Sequence, residues 1–325
     1  MGDIPTMKPA VLMGDPSYFR VKGGPNPHTR TAWGFRKKVN RQRAIQQWHG
    51  LAKRLTELGI LVYVLPAVPA WPGMVYPANA GFLYGENFYL SNLLTAREGE
   101  RIHYQEFLTR LGFSTRDVPY RFEGEADFFS AGEGYLFSHG PLREQCFVPQ
   151  WGIPPWRRVY GFRSDGRNLD FLRKIVEPKS VYPIQLIDEA YYHGDTVLCS
   201  FGSYREYLLA YLSKISKESA EHLQREFKEN FIALIPQDGG KFAANSFYTK
   251  TEKGKFLVMP EGISEELIKR VTATGVTPIL VDVSEFLSKG GGSVKCMLCD
   301  LGIMELKDSN QPEEVREFRR EKLYG

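Results

Sequence analysis

Leu55-Thr56-Glu57-Leu58-Gly59-Ile60-Leu61-Val62-Tyr63-Val64-Leu65 closes a helical pattern, turns at a glycine and enters a short, partly β-branched apolar run. Ahead of it Ile45, Trp48, Leu51 and Leu55 recur at three- and four-residue spacing, which marks one buried helix face. The same order returns near the C-terminal end. A helix is predicted over 264–274, with Ser264 as N-cap and Glu265 and Glu266 in its first turn; Gly275 then leads into Thr277-Pro278-Ile279-Leu280-Val281. Helix, glycine and strand, used at least twice, predict an α/β architecture built from a repeated unit.

Working outward, residues 10–21 read as a strand and turn, followed by a Gly/Pro loop at 23–27. Strand-like pieces recur at 81–90, 135–138, 231–236 and 255–259. Helical patterns cover 101–111, 167–175 and 204–231, while 306–325 reads as a charged surface helix or tail. No low-complexity linker interrupts the chain, which predicts a single domain over 1–325.

Composition narrows the function. Of 325 residues, 42% are hydrophobic and 25% charged, an ordinary globular balance. Forty-two basic and 38 acidic residues leave a net charge of +4, which does not call for a nucleic-acid partner. The basic residues at 36–38 and 41–43 open the helical pattern that runs to Leu58 and read as its solvated face. No apolar run is long enough to span a membrane, and no signal-peptide core is visible. The first six residues fit the short myristoylation pattern, a match common by chance. Four cysteines are few for this length and fit a reduced, cytoplasmic protein. Cys296 and Cys299 form a C-x-x-C, but no second ligand pair or thioredoxin-like context accompanies it.

Two segments carry chemistry. Cys296 follows the glycine run Gly290-Gly291-Gly292, which implies a flexible turn delivering a thiol. About a hundred residues earlier stands Tyr192-His193-Gly194-Asp195-Thr196. If that segment is extended, His193 and Asp195 share one strand face and one pocket. An imidazole can protonate a leaving amine and then activate water. Glu123, Glu125 and Asp127 would likewise share a face on an extended segment, an acidic cluster that a cationic ligand would neutralise.

These segments, with Asp15-Pro16-Ser17-Tyr18-Phe19-Arg20-Val21, Asn26-Pro27-His28, Val75-Tyr76-Pro77-Ala78-Asn79-Ala80-Gly81, Arg97-Glu98-Gly99-Glu100, Tyr160-Gly161-Phe162-Arg163-Ser164 and Ala243-Ala244-Asn245, occur in an order that resembles the guanidine-modifying enzymes of the pentein superfamily. That group includes arginine deiminases, dimethylargininases, amidinotransferases and arginine dihydrolases. The resemblance covers nearly the whole chain and implies a five-bladed pseudosymmetric α/β propeller with the site where the blades meet. It departs mildly at Ala126, where the family usually has glycine.

The resemblance implies Cys296 as nucleophile, His193 as general acid and base, and Glu123 as the carboxylate that fixes the guanidinium. Asp195 and Asp127 join it at the substrate. Arg97 and Arg163 would take the substrate carboxylate, with Arg143 a rival to Arg163, and Asn26 would assist at the α-amino group. Asn79 stands where deiminases and dimethylargininases generally carry an acid, and so looks like the dihydrolases. A neutral amide donates to a ureido oxygen as well as accepting from N–H, whereas a carboxylate only accepts. The expected reaction is therefore cleavage of guanidino C–N bonds through a covalent thiouronium-type adduct, with arginine giving ornithine, ammonia and carbon dioxide. No metal or organic cofactor enters.

Alternatives that keep the chemistry are a dimethylargininase, a deiminase stopping at citrulline, or an amidinotransferase. A non-catalytic arginine sensor is the alternative of another class. Cys299 reads as core or as a resolving thiol. The extra aromatic stretch at 138–159 reads as a lid or as a contact in a homo-oligomer.

Overall fold

The structure is a computed structural model that describes residues 7–305, so the tail expected at 306–325 and the myristoylation pattern at 1–6 lie outside the described residues. In chain order the elements are β1 (Met7–Gly14), α1 (Arg41–Glu57), β2 (Leu61–Leu65), β3 (Gly81–Tyr84), β4 (Asn87–Leu90), α2 (Arg101–Arg110) and β5 (Ser114–Asp117). Then come β6 (Phe128–Ala131), β7 (Gly134–His139), β8 (Cys146–Pro149), β9 (Trp156–Val159), α3 (Leu169–Val176), β10 (Val181–Gln185), β11 (Leu198–Phe201), β12 (Tyr207–Ala210), α4 (Lys217–Phe227) and β13 (Phe231–Ala233). The described residues end with α5 (Pro236–Gly240), β14 (Phe247–Thr251), β15 (Gly254–Pro260), α6 (Glu265–Ala273), β16 (Thr277–Val281), α7 (Ser284–Gly290) and β17 (Cys299–Glu305).

Fifteen of these strands form five three-stranded sheets of one design: an antiparallel pair, then a helix, then a third strand parallel to the second. The first is built from both ends of the described chain, because β17 pairs with β1 and β1 with β2. The other four are β3-β4-β5, β6-β7-β10, β11-β12-β13 and β14-β15-β16. Neighbouring units touch in sequence: β17 meets β3, β3 meets the turn 124–126, β6 meets β11, β11 meets β14, and β14 meets β1. The contacts close a ring of five units, as the pentein resemblance implies. The helix–glycine–strand pattern at 55–65 and 268–281 is α1–β2 and α6–β16.

Local chemistry explains the elements. Ala44, Trp48, Leu51, Ala52 and Leu55 bury one face of α1 against β2, all five of whose residues are buried. Asn40 caps α1 by accepting from the Arg43 N–H, so the helix starts at Arg41 and leaves residues 36–38 outside it. The basic run is tied to this chain: Lys37 donates to the Ser288 carbonyl, and Arg43 pairs with Asp282. Ser264 caps α6 through the Leu267 N–H, as read from the sequence.

The helix expected over 204–231 is in fact a strand followed by a helix. Leu208, Leu209 and Ala210 are buried in the central strand β12, and α4 begins only where Ser216 accepts from the Ser219 N–H. A continuous apolar run buried on both sides carries no strand alternation, so period alone does not separate it from a helix. No helix among the described residues is long and apolar enough to cross a membrane.

The stretch 138–159 contains the hairpin β8–β9, inserted between β7 and α3. It carries exposed Phe147, Trp151, Ile153 and Trp156 and is tethered to the body where Gln145 donates to the Pro25 carbonyl.

Candidate active site

Each sheet is entered through a tight turn, and these turns meet at the middle of the ring. Glu125, Asp195 and Cys296 stand three residues ahead of β6, β11 and β17, and Asn79 and Asn245 two residues ahead of β3 and β14. The approach is close enough to demand glycine. Gly124 has φ +65°, and a Cβ there would lie 2.5 Å from the Ala78 carbonyl and 2.6 Å from that of Gly81. The His193 segment is therefore not a strand. His193 is extended, but Asp195 lies in a 3₁₀ turn.

One cavity is lined by Cys296, His193, Glu123, Asn79, Asn26, Arg97, Arg163 and Tyr192, together with Trp71, Phe19 and Lys22. Glu123 is its hub: Oε2 accepts from His193 Nε2 at 2.9 Å and from Asn79 Nδ2 at 2.9 Å, and Arg97 lies 3.8 Å away. His193 Nε2 also lies 3.2 Å from Asn79 Nδ2, but a nitrogen donating to Glu123 cannot accept from the amide as well. The carboxylate serves both. His193 Nδ1 is buried and has no hydrogen-bond partner among the described residues.

Burial would raise the Glu123 carboxyl, but the His193 hydrogen bond and the charges of His193, Arg97 and Arg163 outweigh it and hold the group at about 2. For His193, burial favours the neutral ring; Asp127, Glu123 and Asp195 prevail and move it above its ordinary value. Asp195 is pushed up to about 6, chiefly by burial, and its Oδ2 faces Cys296 Sγ at 3.4 Å. Burial, then Asp195, drive the Cys296 thiol well above its usual range.

The thiol sits in a 3₁₀ turn, not on a flexible loop. The glycine run ends α7, with Gly291 left-handed at φ +78° as its C-cap. A Cβ on Gly292 would meet the Tyr76 ring at 2.6 Å and the Cys296 Cβ at 2.9 Å. These glycines provide close approach of backbone to the cavity wall. Asn245 completes the thiol's surroundings: Oδ1 accepts from the N–H groups of Ser293 and Cys296, and Nδ2 donates to Cys296 Sγ at 3.2 Å.

In the same cavity Arg97 is clamped by Glu100, at 2.7 Å. Arg163 donates to the carbonyls of Gly161 and Pro25 and lies over the Tyr192 ring. Arg143 is exposed and lines a different cavity, so Arg163 is the one brought to this site. Asn26 donates to Tyr192 Oη and the Gly290 carbonyl and leaves a buried Oδ1 without a partner among the described residues.

Further expectations change. Asp127 does not line the cavity: it is buried behind His193, with Ser138, Ser164 and the Gly194 N–H on its carboxylate and His193 Nε2 at 4.0 Å. Glu123, Glu125 and Asp127 do not line one cavity, because the segment turns: Glu123 and Asp127 converge on His193 Nε2, at 2.9 and 4.0 Å, while Glu125 goes elsewhere. Glu125 pairs with Lys295 at 2.9 Å and lines a second cavity together with Asp195, whose carboxylate reaches Cys296 Sγ but which, unlike His193, does not line the first cavity. Cys299 is fully buried in the core on β17, its thiol pushed up by burial, so it has the setting of a structural residue and not of a resolving thiol. Sequence reasoning assigned no role to Asn245, Tyr192 or Glu100. Asn245 could have been found from its place in the fourth of five equivalent turns.

The eukaryotic N,N dimethylarginine dimethylhydrolase family matches residues 169–303. Solved structures of the N-terminal domain of a cyanobacterial arginine dihydrolase superpose with TM-scores of 0.76 and 0.77 at 25% identity, covering 90–91% of this chain and 98% of theirs. One is an asparagine-to-serine variant covalently bound to a reaction intermediate, the other a cysteine-to-serine mutant bound to substrate. This chain has the fold of the pentein-type guanidine-modifying enzymes. Among curated relatives, the bifunctional arginine dihydrolase/ornithine cyclodeaminase of Nostoc sp. is 31% identical over 288 residues, 88% of this chain. The N(G),N(G)-dimethylarginine dimethylaminohydrolase of Mycobacterium tuberculosis is 26% identical over 292 residues, 90% of this chain and 84% of that one. The pentein chain described here spans 37% of the length of the Nostoc relative.

Proposed function

We propose that this chain is a cysteine-dependent arginine dihydrolase, converting arginine and two waters to ornithine, two ammonia and carbon dioxide. Cys296 attacks the guanidinium carbon, and His193 protonates the first departing nitrogen, which leaves as ammonia. His193 then takes a proton from water, which displaces the thiolate and yields a ureido product. A second attack at the same carbon expels one of its remaining nitrogens. Water releases a carbamic acid, which breaks down so that the two rounds together give ornithine, the second ammonia and carbon dioxide. Glu123 and Asp195 hold the planar cation against the sulfur. Arg97 and Arg163 take the substrate carboxylate, and the free Oδ1 of Asn26 accepts from the α-ammonium. Asp127 acts from behind, favouring the protonated ring of His193.

The observation that carries the dihydrolase reading is Asn79, a buried neutral amide bonded to Glu123 and beside His193 in the cavity that holds Cys296. Its N–H donor suits a ureido oxygen, so the site accepts both the cationic substrate and the neutral first product. The relatives named as arginine dihydrolases, and the relative whose asparagine-to-serine variant retains a covalent intermediate, support the same reading.

Product identification from arginine tests it. The parent releases ornithine, whereas Asn79→Asp, which replaces the donor by an acceptor-only group, accumulates citrulline. Citrulline as the parent's end product, or identical products from both proteins, would refute the role of Asn79. Dimethylamine from dimethylarginine in place of turnover of arginine would make the chain a dimethylargininase.

A further inference from the structure

We infer that Asn245 is a further catalytic residue, whose side-chain N–H stabilises the Cys296 sulfur as the attacking thiolate. The proposal rests on Cys296 being the nucleophile, and its geometry is unusually constrained. Asn245 is fully buried, and every hydrogen-bonding position of its amide is in use. Oδ1 accepts from Ser293 N at 3.0 Å and Cys296 N at 3.1 Å; Nδ2 donates to the Asp195 carbonyl at 3.1 Å and to Cys296 Sγ at 3.2 Å. Two backbone donors on one side fix which atom is oxygen, so the NH₂ must face the sulfur. The main chain adds a further tie, since the Lys295 N–H donates to the Asn245 carbonyl.

The other groups around the sulfur do not supply this donor. Asp195 accepts from the thiol and, once ionised, repels the thiolate. Tyr76 donates its hydroxyl to the Phe286 carbonyl and Tyr192 to that of Gly291. The Ser293 N–H, which also favours the thiolate, is already committed to Asn245 Oδ1. Lys295, next in sequence, turns away to Glu125 and the Leu298 carbonyl. His193 lines the same cavity but directs Nε2 at Glu123. In a site that burial and Asp195 make hostile to a negative sulfur, a preorganised neutral N–H favours the charged form without reorganising.

The test is the pH dependence of Cys296 alkylation by iodoacetamide, read on the Cys296 peptide by mass spectrometry so that exposed Cys146 does not interfere. Asn245→Asp keeps an acceptor for the two backbone N–H groups and removes the donor; Asn245→Ala removes both. Each should move the alkylation midpoint up by at least about one pH unit and lower kcat/KM for arginine about 100-fold. In the unaltered protein, the Asn245 side-chain amide signal in NMR should shift with the same midpoint and lose that transition in Cys296→Ser, whether or not the variants fold. An alkylation profile identical to the parent's in folded variants, or an Asn245 signal indifferent to Cys296 ionisation, would overturn the proposal. Alkylation needs no turnover, so a failure of arginine as substrate would leave this result readable.

Discussion

Asp195 shows what the site costs at the scale of one residue. The residue is 2% exposed, its carboxyl Oδ1 has no partner among the described residues, and burial lifts the carboxyl from 3.8 to about 6. A group raised in the folded state stabilises the fold below its unfolded value of 3.8, and that contribution disappears as pH rises through about 6. At pH 7.5 the folded protein therefore holds a buried carboxylate at a cost on the order of 2–3 kcal/mol. Asp195→Asn should raise the melting temperature at pH 7.5, raise it much less at pH 4.5, and reduce turnover of arginine. An equal effect at both pH values would show that the carboxyl is not strained. Cys296, His193 and Glu123, which line one cavity, could be singled out because their side chains are chemically distinctive and stand in recognisable segments. Asp127 was misplaced, since sequence proximity to Glu123 does not show that the 3₁₀ turn leaves it buried against Ser138 and Ser164, outside the cavity that Glu123 lines. Asn245 went unread because an amide has many structural uses, and only the three-dimensional contact shows what it donates to.

At the scale of elements, the turns before the strands determine where the chemistry sits. Gly124 packs its α-carbon against the turn carrying Asn79, so Gly124→Ala combines a left-handed backbone with an overlap against two carbonyls. It should destabilise the protein by about 3 kcal/mol or more and displace Asn79 from Glu123, lowering kcat/KM as well as the unfolding midpoint in urea. Ser264→Ala, at the N-cap of α6 and outside the cavity, should cost about 1 kcal/mol and leave kcat/KM unchanged. Equal loss of activity in both variants would mean that general stability, not turn geometry, limits the site. Capped amphipathic helices such as α1 and α6 were readable to within a few residues. The buried strand β12 was not, because its run of apolar residues lacks alternation and lies just ahead of a true helix.

At the scale of the molecule, the ring is closed by its ends: β17, following the Cys296 turn, pairs with β1 and completes the first sheet. The repeat was visible in two units, where glycine separates a clear helix from a β-branched strand. The count of five came from resemblance, since β5 is polar, β10 carries a proline at its centre and β13 is only three residues long, so all three carry weak patterns. Leu301 on β17 is 1% exposed within the core of the closing unit. Leu301→Ala should cost about 3 kcal/mol. Because the thiol turn and the closing strand are contiguous, thermal loss of activity and of helical circular dichroism should shift together. Activity lost well below the helix transition would indicate that the closing strand opens alone.

The most direct test is to quench the protein in acid during turnover of arginine and weigh the peptide containing Cys296. An amidino or carbamoyl group on Cys296 is expected in the parent. It should accumulate further in a His193→Gly variant that cannot activate water, and be absent from Cys296→Ser, whose turnover should fall about 10⁴-fold or more. Ornithine or citrulline formed by Cys296→Ser at the parent's rate, or an adduct found on another residue, would contradict covalent catalysis at this sulfur.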